Sequence, residues 1–170
     1  MQDPVTTIDL AHSGAPDAVA TPWEEARRVL ETAEVFWLST VRADGRPHVT
    51  PVAAAWLDGA LYFGTGSIAQ KLKNLRGNPH VVLTTGCNHL ATGFDVVVEG
   101  DAVPCYDTAA HECFYQQQTV VWGEGWPIQL QGGELWDDSM SEPLLLFAVT
   151  PSKIFASTRG DQWSTTRYQL

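Results

Sequence analysis

Hydrophobic and polar positions alternate along most of this chain in short runs, which is the pattern of half-buried β-strands. The runs are rich in β-branched and aromatic residues and are separated by turn-forming residues. Asp58 and Gly59 form a tight-turn signal between two of them, so the first three runs follow one another as a meander. The pattern predicts six or seven strands, drawn from residues 35–42, 46–57, 60–65, 81–86, 94–106, 144–151 and 153–158.

Helical signals interrupt the strands at three places. Thr21, with Glu24 three residues later, forms a capping box that predicts a helix beginning at Pro22. A second helix is predicted after Gly64 and Gly66, at the end of the third run of strand residues. It ends at Asn78 because Pro79 follows. A third helix is predicted over residues 107–118, where an aspartate stands at the start.

An antiparallel order with few helices predicts a mainly β domain that closes as a small β-barrel. Residues 21–170 contain no internal repeat and no linker, so we expect a single domain. Residues 1–20 show no periodicity and are predicted as a flexible arm. The Trp- and Gly-rich stretch 120–143 also lacks a clear period, and no element is predicted there.

Composition narrows the class of protein. No apolar run approaches the length of about 20 residues that spans a bilayer, and the first residues lack the pattern of a signal peptide. Three irregularly spaced cysteines favour free thiols in a reducing cytoplasm. The net charge of −10 argues against nucleic acid or an anionic membrane as a general partner.

The few basic residues are unevenly placed. Five of the ten lie within residues 42–76, namely Arg42, Arg46, Lys71, Lys73 and Arg76. Such a cluster in an acidic chain suits a small anion, and ordinary surface charge is the alternative.

The segment LYFGTGSIAQKLKNL, residues 61–75, raises a specific question about that anion. Its GxGxxA spelling is that of a dinucleotide-binding turn, but such a turn needs a carboxylate about 20 residues on, and 82–90 contains none. A doubly wound nucleotide-binding fold is therefore excluded. An anion site remains, in which Thr65 and Ser67 supply hydroxyls and Lys71 reaches back from the first helical turn. The alternative is a capped surface helix with solvated lysines.

Other candidate chemistry is weaker. His111, Glu112 and Cys113 suggest zinc, but the Cys-x-x-Cys pair and the helical His-x-Glu of zinc deaminases are both missing, so no metal site is predicted. No G-x-S-x-G elbow is present for a serine nucleophile. Trp122, Trp126 and Trp136 could surround a flat substrate, and core or interface packing is an equal alternative.

Three linked motifs carry a family resemblance: TVRADGRPHVTPV, the strand ending in YFGT, and KLKNLRGNP. Together they resemble the pyridoxamine phosphate oxidase-like proteins, and more closely the actinobacterial flavin- and deazaflavin-dependent oxidoreductases. The resemblance extends from about Glu24 to Gly100 and returns near the C-terminus in STTRYQL. It implies a split β-barrel with Greek-key connections, a homodimer with cofactor sites at the subunit interface, and FMN or the deazaflavin F-420 as cofactor.

The resemblance also assigns site residues. It implies that the strand containing residues 49–52 lies along the cofactor ring. The following strand, which ends at Gly64 and Thr65, would lie beside the ribityl chain and phosphate. Lys71 matches the phosphate-binding lysine, whereas Gln70 stands where relatives usually have an arginine, and this loss of a charge favours F-420 slightly over FMN. The remaining cofactor-binding positions are Val49, Thr50, Pro51, Val52, Gly64, Thr65, Ser67 and Arg167.

The sequence therefore predicts an oxidoreductase that transfers a hydride between bound F-420 or FMN and a small, flat organic substrate. Because the cofactor carries the hydride, no catalytic acid or base is assigned. The alternative is a protein that binds a flavin, deazaflavin or haem without turnover.

Overall fold

The computed structural model describes residues 4–9, 18–160 and 163–169 of the chain. Three α-helices are present, α1 (Trp23–Thr32), α2 (Gln70–Gly77) and α3 (Thr108–Trp122). The described strands are β1 (Val5–Ile8), β2 (Val35–Val41), β3 (Pro47–Leu57), β4 (Ala60–Thr65), β5 (His80–Thr85), β6 (Gly93–Pro104), β7 (Ile128–Gln131), β8 (Glu134–Asp137), β9 (Glu142–Pro143), β10 (Leu145–Arg159) and β11 (Ser164–Gln169).

Six of these strands form a closed antiparallel barrel. The order β10-β4-β3-β2-β5-β6 is completed by pairing of β6 with β10. Strands β11 and β1 extend the sheet beyond β10. The predicted mainly β barrel with a few short helices is thus confirmed.

The barrel interior is filled by side chains that alternate inward along each strand. Phe36, Leu38, Phe63, Leu83 and Val98 are all fully buried there. Burial of a large apolar side chain stabilises a fold by about 1.5–3 kcal/mol, so this core holds the six strands in one register.

Helix α1 covers one end of the core, and its start differs from the prediction. Pro22 is the N-cap, and it makes no side-chain capping hydrogen bond. Thr21 instead lies buried, its backbone amide 2.9 Å from the hydroxyl of Thr166 in β11. The predicted capping box is therefore wrong, because Thr21 is held by a distant strand. The predicted start of α3 is confirmed, since Asp107 accepts a hydrogen bond from the Ala109 amide at 2.9 Å.

Strand β10 is continuous where the sequence predicted two strands. It pairs with β6 along its length, and the register shifts only between Pro151 and Lys153. The break in the hydrophobic pattern at this point is a β-bulge, which bends a strand without ending it.

Both chain ends and the Trp-rich stretch contain strands that the sequence did not predict. Val5–Ile8 pairs with β11 within the predicted flexible arm, and residues 10–17 lie outside the described part. The stretch 120–143 contains a second sheet, β7-β8-β9. Leu135 of this sheet packs with Phe114 of α3 and Leu146 of β10. No helix among the described residues is long and apolar enough to cross a membrane.

Candidate functional site

Strands β2 and β3 present an apolar outer face. Trp37 lies opposite Pro51, and Ser39 lies opposite Val49. The side chains of Trp37 and Val49 are 52% and 54% exposed. Large exposed apolar side chains grouped on one face mark a binding or assembly surface.

Alternation along β3 separates the four residues predicted to line the cofactor ring. Val49 and Pro51 face outward, whereas Thr50 and Val52 face the opposite side, next to Leu38 and the core. Val52 is buried. A molecule on the outer face would thus meet the side chains of Val49 and Pro51 and only the backbone of the other two.

The glycine turn, residues 64–67 at the end of β4, is approached closely by residues 142–144. The Ser67 amide donates to Oε1 of Glu142 at 2.9 Å, and the Ser67 hydroxyl donates to Oε2 of the same carboxylate. A Cβ atom at Gly66 would lie 2.7 Å from Oε1 of Glu142, and one at Gly64 would collide with Leu144. A side chain at either position would therefore require the Leu144 or Glu142 side chain to move.

Lys71 lies in the first turn of α2 and is half-buried. Burial lowers the pKa of its ammonium below the usual lysine value, because the charged form loses solvation. Among the described residues, no carboxylate forms an ion pair with Lys71. A partly desolvated cation without an anion is the feature of this region that most directly indicates an external ligand.

Gln70 is engaged within α2. Its side-chain nitrogen donates to the Asn74 side-chain oxygen at 2.8 Å, and the Asn74 nitrogen donates to the Thr40 hydroxyl at 2.8 Å. Thr40 in turn lies 3.3 Å from Nδ1 of His48. This polar chain fastens α2 to β2 and β3, and it fixes the helix that carries Lys71.

The basic residues of α2 do not share one face. Each residue advances an α-helix by about 100°, so Lys73 and Arg76 lie about 200° and about 140° from Lys71. Both are exposed. The predicted cluster is therefore a spread of charges around the helix rather than a single clamp.

Arg167 is not brought to this region within one chain. It lies opposite Phe155 of β10, whereas Gly64 lies opposite Leu146 at the other end of that strand. The nine residue steps from Leu146 to Phe155 correspond to about 30 Å along an extended strand. A role for Arg167 in the same site would require a second protomer, and it stays a prediction.

A separate cavity of about 610 Å³ lies between α2, the end of β6, the small sheet and the start of β10. Its wall is mostly leucine and proline, with Arg76, Tyr106, His111 and Glu134 as polar members. Trp122, Trp126 and Trp136 are not among the lining residues; Trp122 instead packs against Trp126, with ring centroids 5.3 Å apart. No local pattern in the sequence indicates this cavity, because its walls come from elements distant in the chain.

His111 is a structural member of that wall. Nε2 lies 2.9 Å from the Cys105 carbonyl, and Nδ1 lies 3.2 Å from the Gly133 carbonyl. Both ring nitrogens are thus directed at backbone oxygens, which leaves neither free to bind a metal. Within the described residues, no three His, Cys, Asp or Glu side chains are grouped so that they could hold a metal ion.

Comparison with known proteins gives one family match. Residues 22–157 match the family model described as pyridoxamine 5'-phosphate oxidase. A search of the curated proteins found no match.

Several solved structures resemble most or nearly all of the chain. An FAD-binding protein from Mesorhizobium loti has a TM-score of 0.59 and 18% identity, over 98% of this chain and 99% of that one. General stress protein 26 from Bacillus anthracis has a TM-score of 0.58 and 22% identity, over 78% and 91%. A heme binding protein from Mycobacterium smegmatis has a TM-score of 0.65 and 19% identity, over 87% and 60%. At these identities the likeness establishes the fold.

Proposed function

The chain belongs to the pyridoxamine 5'-phosphate oxidase family, and we propose that it binds a flavin-type cofactor and transfers a hydride between that cofactor and a small organic substrate. The observation that carries this proposal is Lys71. Its half-buried ammonium, with a lowered pKa and no anionic partner among the described residues, would be stabilised by a cofactor phosphate.

The residues fit such a cofactor in part. The outer face of β2 and β3 offers Trp37, Val49 and Pro51 as a flat apolar surface for a ring system. Lys71 offers a cation for the phosphate. The donors of Ser67, in contrast, are already engaged by Glu142.

The cofactor would supply the hydride chemistry, and the chain would supply binding, orientation and exclusion of water. Trp37 and Val49 would orient the ring on the strand face. Lys71, held by the Gln70–Asn74–Thr40 hydrogen bonds of its own helix, would fix the phosphate end. We assign no proton transfer to a side chain.

We further propose a homodimer in which the β2–β3 face meets its counterpart. Trp37, Val49 and the 43% exposed Val35 form an apolar patch that is costly to leave in water. A twofold interface over this patch would cover it, enclose the cofactor, and allow the partner's Arg167 to approach the site.

F-420 is our first choice of cofactor and FMN the second. FMN ends in a compact phosphate that needs several donors at one point, and here Gln70 and Ser67 are directed at Asn74 and Glu142. F-420 carries its charges further apart, which suits bases spread around α2.

A binding protein without turnover is the second candidate, since one similar solved structure is described as a heme binding protein. His111 is a poor candidate for a haem ligand, because both of its ring nitrogens are directed at backbone carbonyls.

The absorption spectrum of the protein isolated from its own host tests the cofactor class. Two visible bands would indicate FMN, a single band near the violet would indicate F-420, and a Soret band would contradict our proposal. Titrations of cofactor-free protein with F-420 and FMN then rank the two. Tight FMN binding with undetectable F-420 binding would reverse our order.

A further inference from the structure

The Glu142 carboxylate lies on the glycine turn in the position that an anionic ligand would take. It accepts one hydrogen bond from the Ser67 backbone amide at 2.9 Å and another from the Ser67 hydroxyl. A backbone amide and a hydroxyl at a turn that leads into a helix are donors that proteins commonly direct at phosphate. Here the chain supplies the anion from a strand 75 residues further on.

No described cation forms an ion pair with Glu142, and Lys71 forms none with any described carboxylate. Lys71 and Glu142 therefore form no ion pair with each other. If Glu142 served to neutralise the half-buried Lys71, an ion pair between them would be expected. Its contacts are instead with the neutral donors of Ser67.

We propose that Glu142 is an internal anion that determines which cofactor the turn accepts. A cofactor whose phosphate monoester needs the Ser67 donors must displace this carboxylate or lie directly beside it. Two negative charges in such close contact repel each other. A cofactor without such a group meets no opposition at Ser67. The inference rests on the proposed function, because it concerns the same turn.

The turn and the strand that carries Glu142 both position this carboxylate. Gly66 leaves room for it, since a Cβ atom at residue 66 would lie 2.7 Å from Oε1 of Glu142. Glu142 is also positioned by pairing of β9 with β8, where it lies opposite Asp137. The carboxylate is therefore held from both sides, by its own sheet and by the turn.

A purely mechanical role is the competing interpretation, in which Glu142 only fastens β9 to the turn. The variant Glu142→Gln separates the two, because it removes the negative charge but keeps the side-chain volume and an acceptor oxygen for the Ser67 amide, while its NH2 group can donate to the Ser67 hydroxyl. Asp138→Asn is the matched control, since it makes the same charge change at an exposed residue just after β8.

The experiment compares FMN with riboflavin, which has the same ring and ribityl chain but no phosphate. Both are titrated into cofactor-free wild-type protein, Glu142→Gln and Asp138→Asn. We expect Glu142→Gln to bind FMN about tenfold more tightly, with riboflavin affinity changed less than about twofold, and Asp138→Asn to match the wild type. Equal changes for both flavins, or weaker FMN binding by Glu142→Gln, would overturn the inference.

Thermal unfolding with inorganic phosphate provides a readout that does not depend on any flavin. We expect phosphate to stabilise Glu142→Gln more than Asp138→Asn, because a ligand that binds only the native state raises its stability. The same phosphate response in both variants would overturn the inference. If neither FMN, riboflavin nor F-420 binds any of the three proteins, the proposed function fails, and the phosphate comparison still decides the role of Glu142.

Discussion

The side-chain amide of Gln70 donates a hydrogen bond to the side-chain oxygen of Asn74, one turn further along α2, at 2.8 Å. Asn74 is buried, and its side-chain nitrogen donates a hydrogen bond to the hydroxyl of Thr40 in β2. Gln70 therefore has a structural partner, and its side-chain amide serves to hold the helix.

Replacing Gln70 by arginine tests what the missing charge does. We expect Gln70→Arg to bind FMN about tenfold more tightly, because a guanidinium adds a charge-assisted hydrogen bond to phosphate. Riboflavin affinity should not change. Gln70→Ala is the control for loss of the bond to Asn74, and equal FMN affinities in the two variants would show that the added charge does not reach the phosphate.

Lys71 and Lys73 form a matched pair on one helix. We expect Lys71→Ala to weaken FMN binding by about 1.5–3 kcal/mol, the range for a hydrogen bond to a charged group. This corresponds to roughly 10- to 150-fold in Kd. Lys73→Ala should have much less effect, since Lys73 is exposed and lies on another face. Calorimetric titration measures both, and similar losses would contradict a specific role for Lys71.

The same lysine should reduce the stability of the cofactor-free protein. Its pKa is lowered in the folded state, so the unfolded chain binds the proton more strongly and the penalty is fully present below the folded-state pKa. Wild-type stability should therefore rise as the pH increases through that pKa toward the ordinary lysine value of about 10.5.

Lys71→Met retains most of the side-chain volume without the charge. Its free energy of unfolding should exceed that of the wild type at neutral pH, and the difference should narrow at about pH 10.5. Urea unfolding at both pH values measures this. A Lys71→Met variant that is less stable than the wild type at neutral pH would show that the ammonium has an unrecognised partner.

The apolar patch on β2 and β3 should control assembly. We expect Val49→Lys to convert the dimer to a folded monomer, because a charge would be buried in the proposed interface. Val120→Lys is the control, since Val120 is 86% exposed at the end of α3. Light scattering at micromolar concentration gives the masses, and a wild-type monomer would rule out the shared site.

Tyr168 connects the last strand to the start of α1. Its hydroxyl donates to the Thr21 carbonyl at 2.7 Å, and burial raises the pKa of this phenol well above its ordinary value. Tyr168→Phe leaves the carbonyl without its donor, so we expect a loss of about 1–3 kcal/mol in the free energy of unfolding. Tyr106→Phe should be neutral, because Tyr106 is 82% exposed. Urea unfolding compares the two, and equal stabilities would contradict this role.

Local sequence determined the elements whose signals are short-range. Alternating apolar residues placed β2 to β6 to within a few residues, because one face of each strand must be buried. Asn78, followed by proline, ended α2, and Asp107 began α3, because backbone groups at helix ends need local partners. The family motifs around Lys71 predicted a cofactor site in this region, and that assignment stays a prediction.

Tertiary structure decided the features that depend on contacts between distant segments. Thr21 is held by Thr166, so the apparent capping box is not used. Strand β10 continues through its bulge because β6 pairs with it both before and after the bulge. Glu142 reaches Ser67 across 75 residues, and nothing in either local pattern indicates that pairing. A hydrogen bond or strand pair between remote segments forms only when the whole barrel brings them together, so residue order alone could not predict which anion lies on the turn.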